Sequence, residues 1–555
     1  MEENIKKLTF PAIFNETAKR FGKNNAFAFV GEKPKTYEEV RKEVNALTAF
    51  LEKLGIKPGD KVSILSSNQP NWGSAYFSIT FMGAVAVPIL PDFSSTEVAN
   101  VLEHSGARAI FVSPSLMPKI EDFSSGELAT VISIEDYSVI RTTGTAPYFD
   151  PEAVPALSYD VQEDDLASII YTSGTTGRSK GVMLTHKNIS FNAYKGRVIQ
   201  PISENDRFLS VLPLSHTYEN TLGLILPITS GASVYYLRKA PTPSVLLPAL
   251  ETVKPTMMLT VPLIMEKIYF NKILPTFREK FLLRTLYRIP SIRKKLNAVA
   301  GKKLYNTFGG NLKFYGIGGA KLNREVERFL IEAKFPYAIG YGLTETSPLL
   351  AGANPSRSVF DSTGPAIEGI ELRINDPDKK TGEGEIWARG QNVMKGYYKD
   401  PEMTSQVLTP DGWFKTGDLG RLDKDNNLYI RGRLKNMILG ASGENIYPEE
   451  IESVINNFRF VVKSLVVQQK GKLVALVHLN MEELEKKYQT LKMDVARQKQ
   501  DMSNLIEEKK NELLDELLAY VNSKVSKYSQ INKVILQPVP FQKTATMKIK
   551  RFLYT

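Results

Sequence analysis

The sequence predicts an α/β protein, with a large N-terminal domain of parallel sheets flanked by helices and two smaller regions after it. Three observations favour this class. Apolar residues alternate between helical spacing and short strand-like runs over about the first 340 residues. Short strands separated by glycine and aspartate turns begin after about residue 360. A segment rich in Glu, Lys and Leu then runs from 481 to 527.

The helix–strand alternation is clearest near the N-terminus. Five apolar residues at spacings of four, three, four and three indicate one face of a helix: Val40, Val44, Leu47, Leu51 and Leu54. Gly55 ends this helix, and a buried strand is predicted at 61–65. Later helix–strand units are predicted at 76–82 with 84–89, 96–104 with 109–112, and 326–332 with 337–340. Helices that alternate with strands predict parallel sheets with helices on their faces.

The rest of the chain shows two further sequence patterns. Strands at 383–389 and 427–431 indicate a small β-barrel-like subdomain at about 360–432. Beyond it, 461–468 and 472–479 are typical of a hairpin. The segment 481–527 predicts a long helix or a helical hairpin, because its apolar residues fall near heptad spacing. This helical insertion either packs on its own domain or forms an oligomer contact, so a homodimer is one interpretation.

Composition excludes several kinds of chemistry. The chain contains no cysteine, which excludes disulfides, Cys-ligated zinc, iron–sulfur clusters and thiol nucleophiles. Its four histidines form no local metal-binding motif. The longest apolar stretches, 79–90 and 222–228, are shorter than the ~20 residues of a membrane-spanning helix. The N-terminus lacks the pattern of a signal peptide, so a cytoplasmic location is predicted.

The net charge of +11 is concentrated in one part of the chain. Eleven Lys or Arg residues lie in the basic segment 267–303, against Glu279 alone. One interpretation is a solvated helical face. The other is a surface for an anionic partner, such as membrane lipid, a nucleotide tail or an acidic carrier protein. Because no nucleic-acid motif accompanies the charge, we expect no nucleic acid as partner and allow a peripheral membrane contact.

A glycine-, serine- and threonine-rich loop follows the strand-like residues 169–171. Glycines let backbone N–H groups approach an anion, and hydroxyls and cations add donors. The spacing differs from the G-x-x-x-x-G-K-[ST] phosphate loop. A mobile linker is the alternative, but the flanking strand and two cations, Arg178 and Lys180, favour a phosphate-binding loop. The candidate ATP-binding residues here are Thr172, Ser173, Gly174, Thr175, Thr176, Gly177 and Lys180.

The segment Tyr171–Gly181 resembles the signature of the AMP-binding, adenylate-forming superfamily, which includes acyl-CoA synthetases, peptide-synthetase adenylation domains and firefly-type luciferases. Six other segments resemble motifs of this family in the same order: Leu212–Tyr218 (acyl gate), Gly316–Leu322 and Gly340–Thr346 (nucleotide pocket), Trp413–Asp418 and Gly432–Asn436 (ribose and hinge), and Lys543–Ile549 (late lysine). The match spans nearly the whole chain and looks most like bacterial medium- and long-chain fatty acyl-CoA synthetases.

The resemblance implies which residues carry the chemistry. Lys548 would bridge the acid carboxylate and the α-phosphate, where two anions meet. Glu345 would bind Mg²⁺, and Thr344 would donate its hydroxyl to the α-phosphate. His216, in the acyl-gate motif, is a further candidate catalytic residue. The sequence departs from the family at Met547, where glycine is usual, which bears on how the terminal loop closes.

The resemblance also implies a nucleotide pocket. Asp418 has two acceptor oxygens that suit a ribose diol, and Arg433 would support ribose or phosphate. Tyr341 would offer a flat face to adenine. The other candidates in this pocket are Gly319, Ala320, Gly340 and Gly342.

A mobile C-terminal domain follows from the same resemblance. The predicted division is an adenylation domain at 1–432, a hinge at 433–436 that includes Lys435, and a small mobile α+β domain at 437–555. Its rotation would withdraw Lys548 after the first half-reaction. The thiol donor would then meet Gly440, Ser442, Gly443 and Glu444.

The predicted reaction uses ATP and Mg²⁺ to convert a fatty acid into acyl-AMP and then transfers the acyl group to a thiol. CoA is the predicted co-substrate, giving acyl-CoA, AMP and pyrophosphate. Acyl carrier protein is the alternative acceptor, because carrier proteins are acidic and this chain is basic. An aryl or short-chain acid also stays open, because an apolar pocket discriminates only ~1–3 kcal/mol per methylene. A non-catalytic nucleotide-binding protein is disfavoured, since all the implied catalytic residues are present.

Overall fold

The computed structural model describes residues 7–123, 127–172, 179–278, 281–439, 445–469, 471–482, 484, 499–544 and 549–554. The chain divides into two compact units. The first unit comprises Met1–Ile374, Trp387–Thr416 and Leu422–Tyr429. The second comprises Asn375–Ile386, Gly417–Arg421 and Ile430–Thr555. The boundaries expected at 432 and 436 stay predictions.

Two eight-stranded sheets form the framework of the first unit. The first contains, in spatial order, Leu349–Gly352, Tyr337–Gly342, Phe314–Ile317, Met257–Thr260, Arg207–Ser210, Ser233–Tyr236, Asn25–Phe29 and Lys35–Thr36. The second contains Gly396–Tyr397, Lys180–Thr185, Leu166–Thr172, Val85–Ile89, Lys61–Leu65, Ala107–Val112, Thr130–Ser133 and Val139–Thr142. Central neighbours pair in parallel, as in Phe314–Ile317 with Tyr337–Gly342. The edge strands pair antiparallel, as in Gly396–Tyr397 with Lys180–Thr185, and so does the next pair inward, Lys180–Thr185 with Leu166–Thr172.

Helices cover and separate these sheets. The described α-helices of five or more residues in the first unit are Phe10–Phe21, Tyr37–Lys53, Pro70–Phe81, Ser95–Ser105, His186–Ile199, Pro243–Val253, Pro262–Ile268, Leu274–Arg278, Phe281–Leu286, Pro290–Thr307, Arg324–Glu332 and Pro401–Val407. The predicted apolar face of Tyr37–Lys53 is confirmed, because Val40, Val44 and Leu47 are fully buried. Thr36 and Glu39 form a capping box at its start, and Gly55 takes a positive φ of 77° just after its end.

The main core lies around the helix Pro70–Phe81, which contacts strands of both large sheets. Every residue from Trp72 to Phe81 is buried, and Pro70 at the start of the helix is buried as well. This helix is therefore buried on nearly all sides and lies inside the protein. The apolar stretches 79–90 and 222–228 are therefore core segments, as predicted. None of the described helices combines the length and apolar composition that crossing a bilayer requires.

A third, four-stranded sheet corresponds to the predicted small β region. Its strands, in spatial order, are Ile370–Asn375, Gly384–Gly390, Phe414–Leu422 and Leu428–Arg433. Residues of these strands are divided between the two compact units.

The rest of the second unit is α+β. The predicted hairpin is confirmed as Val461–Gln469 paired antiparallel with Lys472–Leu479, and Lys533–Leu536 adds a parallel strand. Helices Pro448–Ile455 and Lys499–Asn522 accompany this sheet. Leu513, Leu517 and Val521 of the second helix are buried in the core of this unit, so this helix packs on its own domain. Parallel sheets flanked by helices and a smaller α+β unit confirm the predicted fold class.

Candidate active site

Two paired strands, Leu166–Thr172 and Lys180–Thr185, flank the predicted phosphate-binding loop in the sequence. Thr172, at the end of Leu166–Thr172, faces Lys180 across the antiparallel ladder, and Tyr171 faces Gly181. A Cβ on Gly181 would lie 2.9 Å from Cγ2 of Ile169, so the packing there requires glycine. Residues Ser173, Gly174, Thr175, Thr176 and Gly177 lie outside the described part of the chain. Lys180 is thus fixed by a strand at the base of the predicted loop.

Lys180 and Glu345 meet at one aromatic ring, that of Tyr397. The Tyr397 hydroxyl donates a hydrogen bond of 2.9 Å to Oε1 of Glu345. Nζ of Lys180 lies 5.1 Å from the centroid of the same ring, within cation–π range. Strand Gly396–Tyr397 pairs with Lys180–Thr185, which sets this geometry. The structure therefore brings together two residues that the motifs placed in one nucleotide site.

Sequence reasoning missed Tyr397. Its position depends on a strand pairing with residues more than 200 positions earlier, and its own neighbourhood, Gly396 and Tyr398, carries no spacing that indicates a site. The backbone contributes as well, because the Met394 N–H donates to the Glu345 carbonyl at 2.9 Å. Glu345 is therefore held at both its backbone and its side chain.

Glu345 suits a magnesium ion that is shared with substrate phosphates. Its side chain is half-buried, and within the described part of the chain no residue donates to Oε2. The described residues contain no group of three or more His, Asp or Glu side chains that could hold a metal without a substrate. Mg²⁺ is commonly bound by one or two carboxylates together with phosphate oxygens and water. A single supported carboxylate with one open oxygen fits that mode of binding.

Other predicted residues follow the carboxyl ends of neighbouring parallel strands. His216 follows Arg207–Ser210, Gly319 and Ala320 follow Phe314–Ile317, and the motif with Thr344 follows Tyr337–Gly342. Carboxyl ends of parallel strands meet at one edge of a sheet, where α/β proteins bind ligands. The remaining predicted residues of this edge are Gly340, Tyr341 and Gly342.

Close packing explains the glycines at this edge. A Cβ on Gly342 would lie 1.9 Å from the Pro348 carbonyl oxygen, which no side chain could accommodate. A Cβ on Gly318 would lie 3.1 Å from Cε1 of Tyr218, so the tyrosine ring lies directly against the backbone. Gly319 and Ala320 are exposed, and a ligand can reach the backbone there.

His216 begins the short helix Thr217–Glu219. Its Nδ1 accepts a hydrogen bond from the Tyr218 N–H at 3.3 Å. The neutral imidazole therefore carries its proton on Nε2. The ring is half-buried.

Glu219 is a fully buried carboxyl next to this motif, and sequence reasoning did not single it out. Oε1 accepts a hydrogen bond of 2.5 Å from the Ser210 hydroxyl, and Oε2 has no partner among the described residues. A Cβ on Gly223 would lie 2.6 Å from the carboxyl carbon. Burial raises the pKa of the Glu219 carboxyl to about 8, although the Ser210 hydrogen bond lowers it in part.

Replacing Glu219 by glutamine should remove a pH dependence of stability. The folded protein keeps this carboxyl protonated up to about pH 8, whereas an ordinary carboxyl ionises near 4.5. The unfolded state therefore releases this proton at lower pH than the folded state. Between about pH 4.5 and about 8, Glu219 should lower the free energy of unfolding by up to about 1.4 kcal/mol for each pH unit. We expect the thermal midpoint of Glu219→Gln to exceed that of the wild type increasingly from pH 5 to pH 8. Exposed Glu251→Gln is the control, and a gap independent of pH would contradict the assignment.

The predicted ribose-binding residues lie in the second unit. Nε of Arg433 is 2.8 Å from Oδ1 of Asp418, whose side chain is buried. The structure therefore joins these two residues as an ion pair. Lys435, the predicted hinge residue, is exposed within the 3-10 turn Leu434–Asn436. The predicted residues Gly440, Ser442, Gly443, Glu444 and Lys548 lie outside the described residues.

Comparisons with known proteins identify the family of this chain. The family of AMP-binding enzymes matches residues 14–398. The chain is 29% identical to the long-chain-fatty-acid–CoA ligase FadD15 of Mycobacterium bovis, over 93% of this chain and 89% of the relative. It is 27% identical to the chloroplastic long-chain-fatty-acid–[acyl-carrier-protein] ligase AEE15 of Arabidopsis thaliana, over 98% and 84%.

A solved structure has the same fold. The o-succinylbenzoate coenzyme A synthetase MenE of Bacillus subtilis, in complex with ATP and a magnesium ion, superposes with a TM-score of 0.75 at 23% identity, covering 97% of this chain and 98% of that one. The family match covers well over half of the 555 residues. The resemblance carried by the sequence motifs is confirmed, and the chain belongs to the family of AMP-binding, adenylate-forming enzymes.

Proposed function

We propose that this enzyme activates a fatty acid with ATP and Mg²⁺ and transfers the acyl group to CoA. The observation that carries the nucleotide half is the meeting of Lys180 and Glu345 at the Tyr397 ring. The fatty-acid half is supported by relatives that are named long-chain-fatty-acid ligases. The proposed location is the cytoplasm.

In the first half-reaction, an acid carboxylate oxygen attacks the α-phosphorus of ATP. The bond from that phosphorus to the bridging oxygen breaks, and pyrophosphate leaves. Lys180 and the loop before it hold the departing phosphates by charge and backbone donors. Thr344 donates to the α-phosphate, and Lys548 neutralises the charge where the two anions meet. Mg²⁺ would be held by Glu345 and would offset phosphate charge when bound.

In the second half-reaction, a thiol sulfur attacks the acyl carbonyl carbon, the bond to AMP breaks, and the thiol proton passes to solvent. Asp418, which is paired with Arg433, is proposed to accept from the ribose hydroxyls. Rotation about Lys435 is proposed to bring Gly440, Ser442, Gly443 and Glu444 to the thiol donor.

Acyl carrier protein is the second candidate acceptor. It is supported by the relative named a long-chain-fatty-acid–[acyl-carrier-protein] ligase and by the net charge of +11, which suits an acidic partner. We also propose that the basic segment 267–303 makes a peripheral contact with a membrane. A homodimer is a separate candidate, which light scattering would test.

The test of the proposed function has two arms. Pyrophosphate release is measured with acetate, benzoate, o-succinylbenzoate, octanoate and palmitate at fixed ATP and Mg²⁺, and kcat/KM is expected to be at least about tenfold higher for the fatty acids. Thioester formation is then measured with CoA and with acyl carrier protein. A higher kcat/KM for an aryl acid would overturn the fatty-acid assignment. Transfer to carrier protein alone would overturn the CoA assignment and leave the adenylation step intact.

A further inference from the structure

The helix Phe281–Leu286 exposes an apolar surface. Four of its six residues, Phe-Leu-Leu-Arg-Thr-Leu, are apolar, yet none of the six is buried. Phe281 is 75% exposed and Leu282 is 69% exposed. Covering these adjacent aromatic and aliphatic side chains with an apolar partner would remove apolar surface from water, which is favourable. Contiguous exposed apolar surface of this kind marks interaction sites.

The chain segment that contains and follows this helix is strongly basic. Residues 281–303 contain seven Lys or Arg and no Asp or Glu: Arg284, Arg288, Arg293, Lys294, Lys295, Lys302 and Lys303. Arg293 is paired with Glu332 at 2.7 Å. The other six make no ion pair with any residue that the structure describes. Their charge is therefore available to an external anion.

The cations of the next helix, Pro290–Thr307, face outward because its opposite face is packed against the protein. Its inner face is fixed, because Asn297, Gly301 and Leu304 are buried and a Cβ on Gly301 would lie 2.4 Å from Cβ of Ala333. On the outer face, Lys295, Val299 and Lys303 recur every four residues and so form one stripe. Val299 is 72% exposed between the two lysines.

A surface depression lies along this stripe. It has a volume of about 550 Å³ and is lined by Val299, Lys302, Lys303, Asn306 and Thr307. A concave, cationic surface with an apolar residue at one side suits an anionic headgroup attached to apolar chains.

We propose that helices Phe281–Leu286 and Pro290–Thr307 form a docking surface for anionic phospholipid membranes, with Phe281 and Leu282 entering the acyl-chain boundary. The outward lysines and arginines would contact lipid phosphates. An amphipathic surface with cations beside aromatic and leucine side chains has the composition that binds at a membrane interface. Charge alone would suit an acidic protein equally well. The exposed Phe–Leu pair on a helix without buried residues favours lipid, into which both side chains can insert.

This surface deepens the proposed function, because a fatty acid partitions into membranes, but its test requires no acid. Full-length protein is sedimented with vesicles of phosphatidylcholine alone or with one-third phosphatidylserine. We expect at least tenfold tighter binding to the anionic vesicles, weakened by salt, since each basic residue near such a surface strengthens binding roughly fivefold. Equal binding to both vesicles, or binding to neither, would overturn the proposal.

Two paired variants test which residues act. Phe281→Ser with Leu282→Ser should weaken binding to anionic vesicles at least about tenfold. Lys302→Gln with Lys303→Gln should weaken it to a similar degree and reduce the salt dependence. The matched controls are Tyr148→Ser with Val154→Ser and Lys379→Gln with Lys380→Gln, which are exposed elsewhere and should bind as the wild type does. Equal losses in the control variants would overturn the assignment of this surface.

Unchanged thermal midpoints establish that each variant is folded. Binding to immobilised acidic carrier protein in place of vesicles, with the same loss in Lys302→Gln, Lys303→Gln, would overturn lipid as the partner. Retained vesicle binding by an enzyme that activates only aryl acids would overturn the proposed substrate and leave the docking surface standing.

Discussion

Replacing Lys548 by alanine is expected to lower acid-dependent pyrophosphate release at least about 100-fold, because a charge aimed at the reacting phosphate is lost. Thioester formation from supplied acyl-AMP should largely survive, because that step forms no bond at the phosphorus. The measurement is pyrophosphate release with saturating acid and ATP, followed by thioester formation from synthetic acyl-AMP and thiol.

Lys550→Ala is the matched control for Lys548→Ala, because it removes a lysine two positions along the same segment. It should retain most of the activity in both half-reactions. An equal loss of both half-reactions in Lys548→Ala would contradict a role confined to adenylation. It would indicate that the segment 543–549 contributes mainly to folding.

Replacing Glu345 by glutamine is expected to reduce adenylation at least about 100-fold and to weaken its dependence on Mg²⁺ concentration. Glutamine keeps the length of the side chain and can still accept from the Tyr397 hydroxyl, but it carries no charge for a cation. Calorimetric titration with ATP, with and without Mg²⁺, measures the effect independently of turnover. A variant whose ATP affinity still rises normally with Mg²⁺ would show that Glu345 does not hold the ion.

Two substitutions of Tyr397 separate its hydrogen bond to Glu345 from its ring contact with Lys180. Tyr397→Phe removes the hydrogen bond to Glu345 and keeps the ring beside Lys180, so we expect about a tenfold loss of adenylation with a raised Mg²⁺ requirement. Tyr397→Leu removes both contacts and should also weaken the binding of ATP without Mg²⁺. Tyr398→Phe, one position later, should behave as the wild type. Identical profiles for Phe and Leu would contradict a contribution from the Lys180 contact.

Sequence periodicity predicted those elements that bury one face. The helix Tyr37–Lys53 has an apolar stripe, and its existence and its end at Gly55 were both predicted. The helix at 76–82 was predicted to begin too late, since it starts at Pro70. Its first turns contain the small residues Gly73 and Ser74, which are buried although they are not strongly apolar, so no amphipathic pattern indicates that they are helical.

Motif order indicated much of the candidate site, but not how its residues touch. Lys180 and Glu345 were placed in one nucleotide site by resemblance, yet the ring between them belongs to a strand whose partner is distant in sequence. Asp418 and Arg433 were both assigned to ribose or phosphate, and their ion pair could not be predicted from a separation of fifteen residues. Such contacts depend on strand register, which the local sequence does not encode.

The contact between Glu219 and Gly223 constrains which substitutions the chain can accept. With the carboxyl carbon 2.6 Å from the point where a Cβ would stand, a methyl group at 223 requires a smaller side chain at 219. Replacing Gly223 by alanine alone should destabilise the fold, because the core has no room for the added methyl group. Replacing Glu219 by serine at the same time should make that room. The two positions are thus energetically coupled, and in divergent members of the family we expect them to change as a pair.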